Sequence, residues 1–131
     1  MPIPAAGGIV FDECHRLLLI LRSKPPAAST WSVPGGRCEP DETPEAACVR
    51  EVGEETGLTV EVIRWAGRVH RPAPNGREYV IDDFLCRVVG GTLRAGDDAA
   101  DAGWFDLAAM TGLPLAAGLQ ESLAGWGLLP V

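Results

Sequence analysis

Residues 36–58 read GRCEPDETPEAACVREVGEETGL, and the rest of the chain is read outward from them. Thr43-Pro44-Glu45 is a helix start, with a hydroxyl for the N-cap, proline at the first helical position and a carboxylate in the first turn. Gly57 is a helix stop. Between them Ala46, Ala47, Val49 and Val52 supply an apolar stripe, so the spacing predicts a helix from Thr43 to Thr56. The far end of that helix is locally unfavourable. Glu51, Glu54 and Glu55 stand at i, i+3 and i+4 and emerge on one face. Like charges at that spacing repel by roughly 0.2–0.5 kcal/mol per pair. Carboxylates in the last turn oppose the helix dipole at roughly 0.3–1 kcal/mol each. Gly53 in the interior costs about 1 kcal/mol relative to alanine. Local rules broken together mark a functional site.

Alone, E-x-x-E-E describes a solvated acidic face that Arg50 would soften. The longer pattern outweighs that reading. The segment fits G-x5-E-x7-R-E-U-x-E-E-x-G-U, where U is a bulky aliphatic residue, with Gly36, Glu42, Arg50, Glu51, Val52, Glu54, Glu55, Gly57 and Leu58 at the fixed positions. This is the Nudix box, and the chain resembles the Nudix hydrolases. The motif spans 23 of the 131 residues. Its flanks, WSVPGG at 31–36 and Trp104-Phe105, are also similar to family members. Asp41 departs from the glycine that many relatives carry in the turn before the first glutamate. The position is free in the motif, and aspartate tolerates left-handed backbone better than most residues.

The resemblance implies an α/β fold: a Nudix-type α/β/α sandwich with a mixed β-sheet between helices. It implies divalent-metal-dependent cleavage of a phosphoanhydride bond in a nucleoside diphosphate linked to another moiety, by in-line attack of water on one phosphorus. Carried over residue by residue, Glu51, Glu54 and Glu55 would hold Mg2+, with Mn2+ as a substitute, and the Gly36 carbonyl would be a further ligand. Clustered carboxylates suit such oxygen-seeking ions. Arg50 would orient Glu51, Glu42 would pair with Arg50 to pin the loop to the helix, and Gly57 would be structural. The general base is either a box glutamate, Glu51 or Glu54, or Asp98, six residues before Trp104-Phe105, with Asp97 beside it.

For the substrate, Pro74 lies 16 residues beyond Leu58, a spacing similar to that in ADP-ribose pyrophosphatases. ADP-ribose therefore leads, ahead of a mutator-type (d)NTP pyrophosphohydrolase and of a non-catalytic nucleotide sensor. Arg37, Arg77 and Tyr79 are the substrate-binding candidates, followed by Trp31, Arg68, His70 and Arg71. For each of these the plainer reading is the stronger: Trp31 is more often a core residue, and His70 with the arginines is more often a solvated rim. Asp82 and Asp83 sit inside an apolar strand, so one of them must face inward or lie near the site mouth, where it could read an amino group or support a metal.

Length and composition bound the rest. A chain of 131 residues, 47% apolar and 22% charged, reads as one globular domain over residues 1–131. A net charge of −7 argues against a nucleic-acid groove and leaves a small nucleotide as the expected partner. The longest apolar run, Leu17–Leu21, is too short to span a membrane. The first residues lack the basic and apolar regions of a secretory leader, and Cys14, Cys38, Cys48 and Cys86 are scattered. These features together predict a cytoplasmic protein with free, buried or half-buried thiols. Nudix relatives are often homodimers, and the apolar tail GWGLLPV at 125–131 reads either as a contact for a second copy or as packing for its own core. Strands are expected at Ile9–Phe11, Leu17–Leu21, Trp31–Val33, Leu58–Val69, Glu78–Val89 and Trp104-Phe105. Turns are expected at DECH, Asn75-Gly76 and Gly90-Gly91, an acidic loop at AGDDAADAG, and one or two short helices after Asp106.

Overall fold

The computed structural model describes residues 2–24 and 28–131. The sequence KPPAAST at 24–30 is expected to form a loop, and part of it falls outside the described residues. The helix forms where its caps dictate. Helix α1 spans Pro44–Thr56, Thr43 Oγ1 accepts from the Ala46 N–H at 3.1 Å, and Gly57 closes it in the left-handed region with φ 75°. The unfavourable C-terminal end is covered from outside. The carbonyls of Gly53, Glu55 and Thr56 accept from the N–H groups of Gly57, Gly96 and Arg94 at 2.9, 2.9 and 2.8 Å. Asp41 adopts the left-handed backbone allowed to it, with φ 66°.

Among the described residues, seven strands divide between two hydrogen-bonded sheets. They are β1 (Pro2–Val10), β2 (Leu17–Arg22), β3 (Trp31–Ser32), β4 (Gly35–Arg37), β5 (Leu58–Pro72), β6 (Glu78–Gly91) and β7 (Ala99–Phe105). One sheet runs β4-β1-β6-β5 and the other β3-β2-β7. The pairing is mixed, with β1 parallel to β6 and the other pairs antiparallel. Two short helices, α2 (Leu107–Thr111) and α3 (Leu119–Gly125), complete the chain. The mixed α/β fold is as expected.

Helices cover both faces because the strands are apolar on both faces. Leu18 of β2 packs with Ala47, Cys48 and Val52 of α1 in one core. Its neighbours Leu17 and Leu19 pack with Met110, Leu119 and Leu123 of the two short helices in the other. The continuous apolar run of β2 is thus a strand buried on both sides. The tail follows it: Leu128 is buried in the second core, with Trp126 and Leu129 against it. The described residues include no helix long and apolar enough to cross a membrane. Among them all four cysteines are free, and Cys48 and Cys86 touch in the core with sulfurs 3.6 Å apart. Cys14 is exposed rather than half-buried, because it lies in the tight turn closed by Asp12.

Beyond shifts of one to three residues at the ends of β1, β2, β3 and β5, the strands differ from expectation in four places. Strand β1 begins at Pro2, far ahead of Ile9, although prolines and glycines disfavour strands. Even-numbered residues of β1 direct their backbone polar groups toward β4, as when Gly8 N–H donates to Pro34 O at 2.9 Å. Pro2 and Pro4 lack N–H groups, but Pro4 still joins the ladder through its carbonyl, which accepts from the Cys38 N–H at 3.0 Å just past β4. Strand β4 itself was hidden by its glycines. Strand β7 starts at Ala99 inside the acidic loop, because Arg22 and Leu21 of β2 pair with Ala99 and Asp101. Gly90 and Gly91 extend β6 opposite Thr59 and Leu58 instead of ending it.

Candidate active site

The last turn of α1 faces the glycine strand β4. Arg50 is the hub of this contact. Its Nε and Nη2 donate to the two carboxylate oxygens of Glu42 at 2.8 and 2.9 Å, a two-pronged pairing. Its Nη1 donates to Glu51 Oε1 and to Glu54 Oε1, both at 2.7 Å, and Nη2 also reaches the Arg37 carbonyl at 3.0 Å. Glu39 adds a fourth carboxylate 3.0 Å from Nε. This arginine holds the Glu39–Glu42 loop, strand β4 and the glutamate face in one arrangement. The Arg50 guanidinium, helped by the Glu39 N–H, pulls Glu42 down to about 2.

Glu55 is the most buried of the three helix glutamates, 5% exposed, and its Oε1 accepts from the Gly35 N–H at 2.7 Å. Burial pushes its carboxyl up to about 8 against the pull of that N–H, with Glu51 adding repulsion. Burial also raises Glu51, against the pull of Arg50. Glu51 lies against Gly36: a Cβ there would stand 2.6 Å from its Cδ and its Oε2. Glycine at 36 is therefore a cradle that a side chain would fill.

No three His, Cys, Asp or Glu side chains among the described residues converge on one metal-holding point. Two of the helix glutamates are drawn to Arg50 instead. The donor chemistry fits a hard divalent cation all the same: three adjacent carboxylates on one helix face and a bare glycine backbone beside one of them.

This corner opens into a cleft of about 950 Å3, lined on its acidic side by Gly35, Gly36, Glu51 and Glu55. That volume is ample for a nucleotide-sized ligand. The cleft is also lined by Arg37, Arg71, Tyr79 and Ile81, and the Arg37 guanidinium stands 5.7 Å over the Tyr79 ring. The substrate-binding candidates Arg37 and Tyr79 are thus brought together. Arg77 sits beyond the tight turn at Pro74–Gly76 and is not among the lining residues, nor is Pro74. The hairpin tip from Pro74 to Arg77 is exposed. Asp98 lines the rim, with its carboxylate paired to Lys24 at 2.8 Å, whereas Asp97 does not line it.

The remaining candidates divide. Trp31 stacks edge-on against Phe105 at 5.0 Å in the second core. His70 pairs with Glu78 at 3.0 Å on an exposed strand. Arg68 donates to both oxygens of Asp82, at 3.0 and 3.1 Å, and Trp65 Nε1 donates to the same carboxylate at 3.0 Å. Asp83 faces the other way, into the cleft. Arg22, Ser32, Ala116, Ala117, Leu119 and Ser122 also line it, and sequence reasoning missed them all. They carry no local signal, since they come from segments distant in the chain that only the fold assembles.

The sequence pattern of the NUDIX domain family matches residues 1–124. The chain belongs to the NUDIX domain family. It is 42% identical over 107 residues to an ADP-ribose pyrophosphatase of Methanocaldococcus jannaschii, covering 81% of this chain and 63% of that protein. It is 38% identical over 101 residues to a MutT-like protein of Streptomyces ambofaciens, covering 77% of this chain and 62% of that one. The chain thus spans somewhat under two thirds of both relatives. The crystal structure of a MutT NUDIX hydrolase from Burkholderia pseudomallei superimposes with a TM-score of 0.84 at 29% identity, covering 95% of this chain and 97% of that one. In this NUDIX domain Gly36, Arg50, Glu51 and Glu55 of the box line the cleft, whereas Glu42, Glu54 and Gly57 are not among its lining residues.

Proposed function

We propose that this chain hydrolyses the phosphoanhydride bond of a nucleoside diphosphate joined to a second moiety, with ADP-ribose the favoured substrate. The observation that carries the reading is the make-up of the cleft. A carboxylate corner of Glu51 and Glu55 beside Gly36 opens directly onto a wall bearing Arg37, Arg71 and Tyr79. One end suits a cation-bridged pyrophosphate, and the other suits the phosphate, ribose and ring of a nucleotide. Similarity to a protein named ADP-ribose pyrophosphatase supports the choice of substrate.

In this reading Glu51, Glu54 and Glu55, with the Gly36 carbonyl, hold Mg2+ or a substitute Mn2+. Such ions neutralise pyrophosphate charge and lower the pKa of a bound water. Arg50 holds Glu51 and Glu54, and Glu42 holds Arg50. Arg37 and Tyr79 steady the substrate, and Arg77 at the hairpin would reach it only at the outer edge. The proton of the attacking water goes to a carboxylate of the cleft. Replacing Asp98 by asparagine assigns it: a fall in kcat of about 10²-fold or more names Asp98, and near wild-type turnover names the helix glutamates.

A second reading, a (d)NTP pyrophosphohydrolase, is favoured by the near-complete overlap with the Burkholderia MutT NUDIX hydrolase. Product analysis separates the two. AMP with ribose 5-phosphate from ADP-ribose supports the first, whereas a mononucleotide with pyrophosphate from a (d)NTP, and no cleavage of ADP-ribose, supports the second.

A further inference from the structure

Residues 94–98 run from the C-terminal end of α1 to the rim of the cleft, and they are fastened at both ends. At the helix, the Arg94 N–H donates to Thr56 O at 2.8 Å and the Gly96 N–H to Glu55 O at 2.9 Å. At the rim, Asp98 O accepts from the Ser23 N–H at 3.1 Å and from Ser23 Oγ at 2.7 Å. Between the two ends the Ala99 N–H closes a turn onto Gly96 O at 2.9 Å, and Asp98 takes left-handed backbone with φ 58°. One short strap thus satisfies the orphan carbonyls of the glutamate turn and carries a carboxylate to the cleft.

The strap is tightest at Gly96. A Cβ there would collide with Glu54 O and stand 3.2 Å from Glu54 C, both backbone atoms of the last turn. Backbone cannot swing aside as a flexible side chain can, so a larger residue must lift the strap or distort the turn. Arg94 lies along the same contact: its Cγ stands 3.0 Å from where a Cβ on Gly57 would be, and its Nη1 3.3 Å from one on Gly96. The last turn of α1 holds no basic residue, so this guanidinium opposes the helix dipole from outside. Glu55 and Asp98 both line the cleft. Burial raises the Glu55 carboxyl, with Glu51 and Asp98 adding repulsion, so Asp98 stands within electrostatic reach of Glu55.

We propose that Gly96 is a positioning residue for hydrolysis at this site: by letting the strap seat on α1, it fixes the Glu54–Glu55 turn relative to Asp98. This rests on the reading of Glu54 and Glu55 as cation ligands and extends it to a residue outside the box. Gly96 is not among the cleft-lining residues. It acts through the backbone of the two glutamates on one side and through Asp98 on the other. A glycine that served packing alone would change the melting temperature on substitution and leave the cation affinity of the folded protein as it was.

The test is an electron paramagnetic resonance titration of Gly96→Ala with Mn2+, well below its melting temperature, beside Gly90→Ala as a matched control. Gly90 is exposed, and a Cβ there meets only Thr59 Cβ at 3.8 Å. Gly96→Ala should bind Mn2+ about tenfold or more weakly and turn over more than about tenfold more slowly, as when other supports of metal ligands are lost. Gly90→Ala should match the wild type in both. If a folded Gly96→Ala keeps wild-type Mn2+ affinity while Glu55→Gln loses it, the positioning role alone is overturned. If Gly96→Ala, Glu54→Gln and Glu55→Gln all keep it, the metal reading falls and this role with it. A loss in Gly90→Ala equal to that in Gly96→Ala would also overturn the role, because an added methyl away from the strap would then suffice. Should Gly96→Ala fail to fold, amide hydrogen exchange of the wild type decides. Mg2+ should slow exchange at Gly57 and Gly96 together, by about tenfold or more, and slowing at Gly57 without Gly96 would overturn the coupling.

Discussion

The Gly35 backbone N–H donates to Glu55 Oε1 at 2.7 Å, tying the glycine strand to the last turn of α1. Glu55→Gln leaves an oxygen able to accept that bond, so the fold should be retained while the ability to ionise is lost. A fall in kcat of about 10²-fold, with Mn2+ affinity weakened in an electron paramagnetic resonance titration, is the expected outcome. Unchanged Mn2+ affinity in both this variant and Glu54→Gln would remove these glutamates from the proposed metal site.

Neighbouring glycines should fail in different ways. A Cβ on Gly35 would stand 2.5 Å from Ala6 O and 2.8 Å from Gly7 Cα, both backbone, so Gly35→Ala must move a strand. A Cβ on Gly36 meets only the carboxylate of Glu51, which can swing away. Gly35→Ala should lower the melting temperature markedly, by roughly 1–3 kcal/mol of stability. Gly36→Ala should melt within a few degrees of the wild type but lose most of its activity. Equal melting losses in the two would contradict this geometry.

Arg50 grips Glu42 with two nitrogens while holding Glu51 and Glu54 with a third. A lysine carries a single ammonium and cannot reproduce that fork. Arg50→Lys should lower kcat more than tenfold and cost about 1–3 kcal/mol of stability. Chemical denaturation and steady-state kinetics on the one variant check both effects.

Asp83 gives stability a pH dependence. Its carboxyl, ordinarily near 3.8, is raised by burial to about 7 in the folded chain. Below pH 3.8 it is protonated in both states and its full contribution is present. As pH rises toward 7 the unfolded chain releases the proton first, so stability falls until the folded carboxyl also ionises. The charged and titratable groups around it are Arg71 on β5, Asp82 on its own strand and Cys48 on α1. The melting temperature of Asp83→Asn relative to the wild type should therefore increase between pH 4 and pH 7.5. A difference that stays constant over that range would show that Asp83 does not titrate there.

The sequence alone determined the helix, its caps and the glutamate face, because capping, helical periodicity and the box are all local patterns. Thr43, Pro44 and Gly57 act where they were expected. It also determined the pairing of Glu42 with Arg50, which the box carries as spacing. Tertiary structure decided the first half of β1, all of β4 and the start of β7. Their prolines, glycines and aspartates have poor strand propensity, and pairing with β6, β1 and β2 overrides it. It also decided which of two adjacent aspartates is satisfied and which is buried with an unpartnered oxygen. Strand alternation puts Asp82 and Asp83 on opposite faces, but only the packed neighbours distinguish the two faces. Arg68 and Trp65 stand on one; on the other are Gly7 and a wall built from Ala116, Ala117 and Leu119. Those residues lie far apart in the chain, so no local pattern could join them.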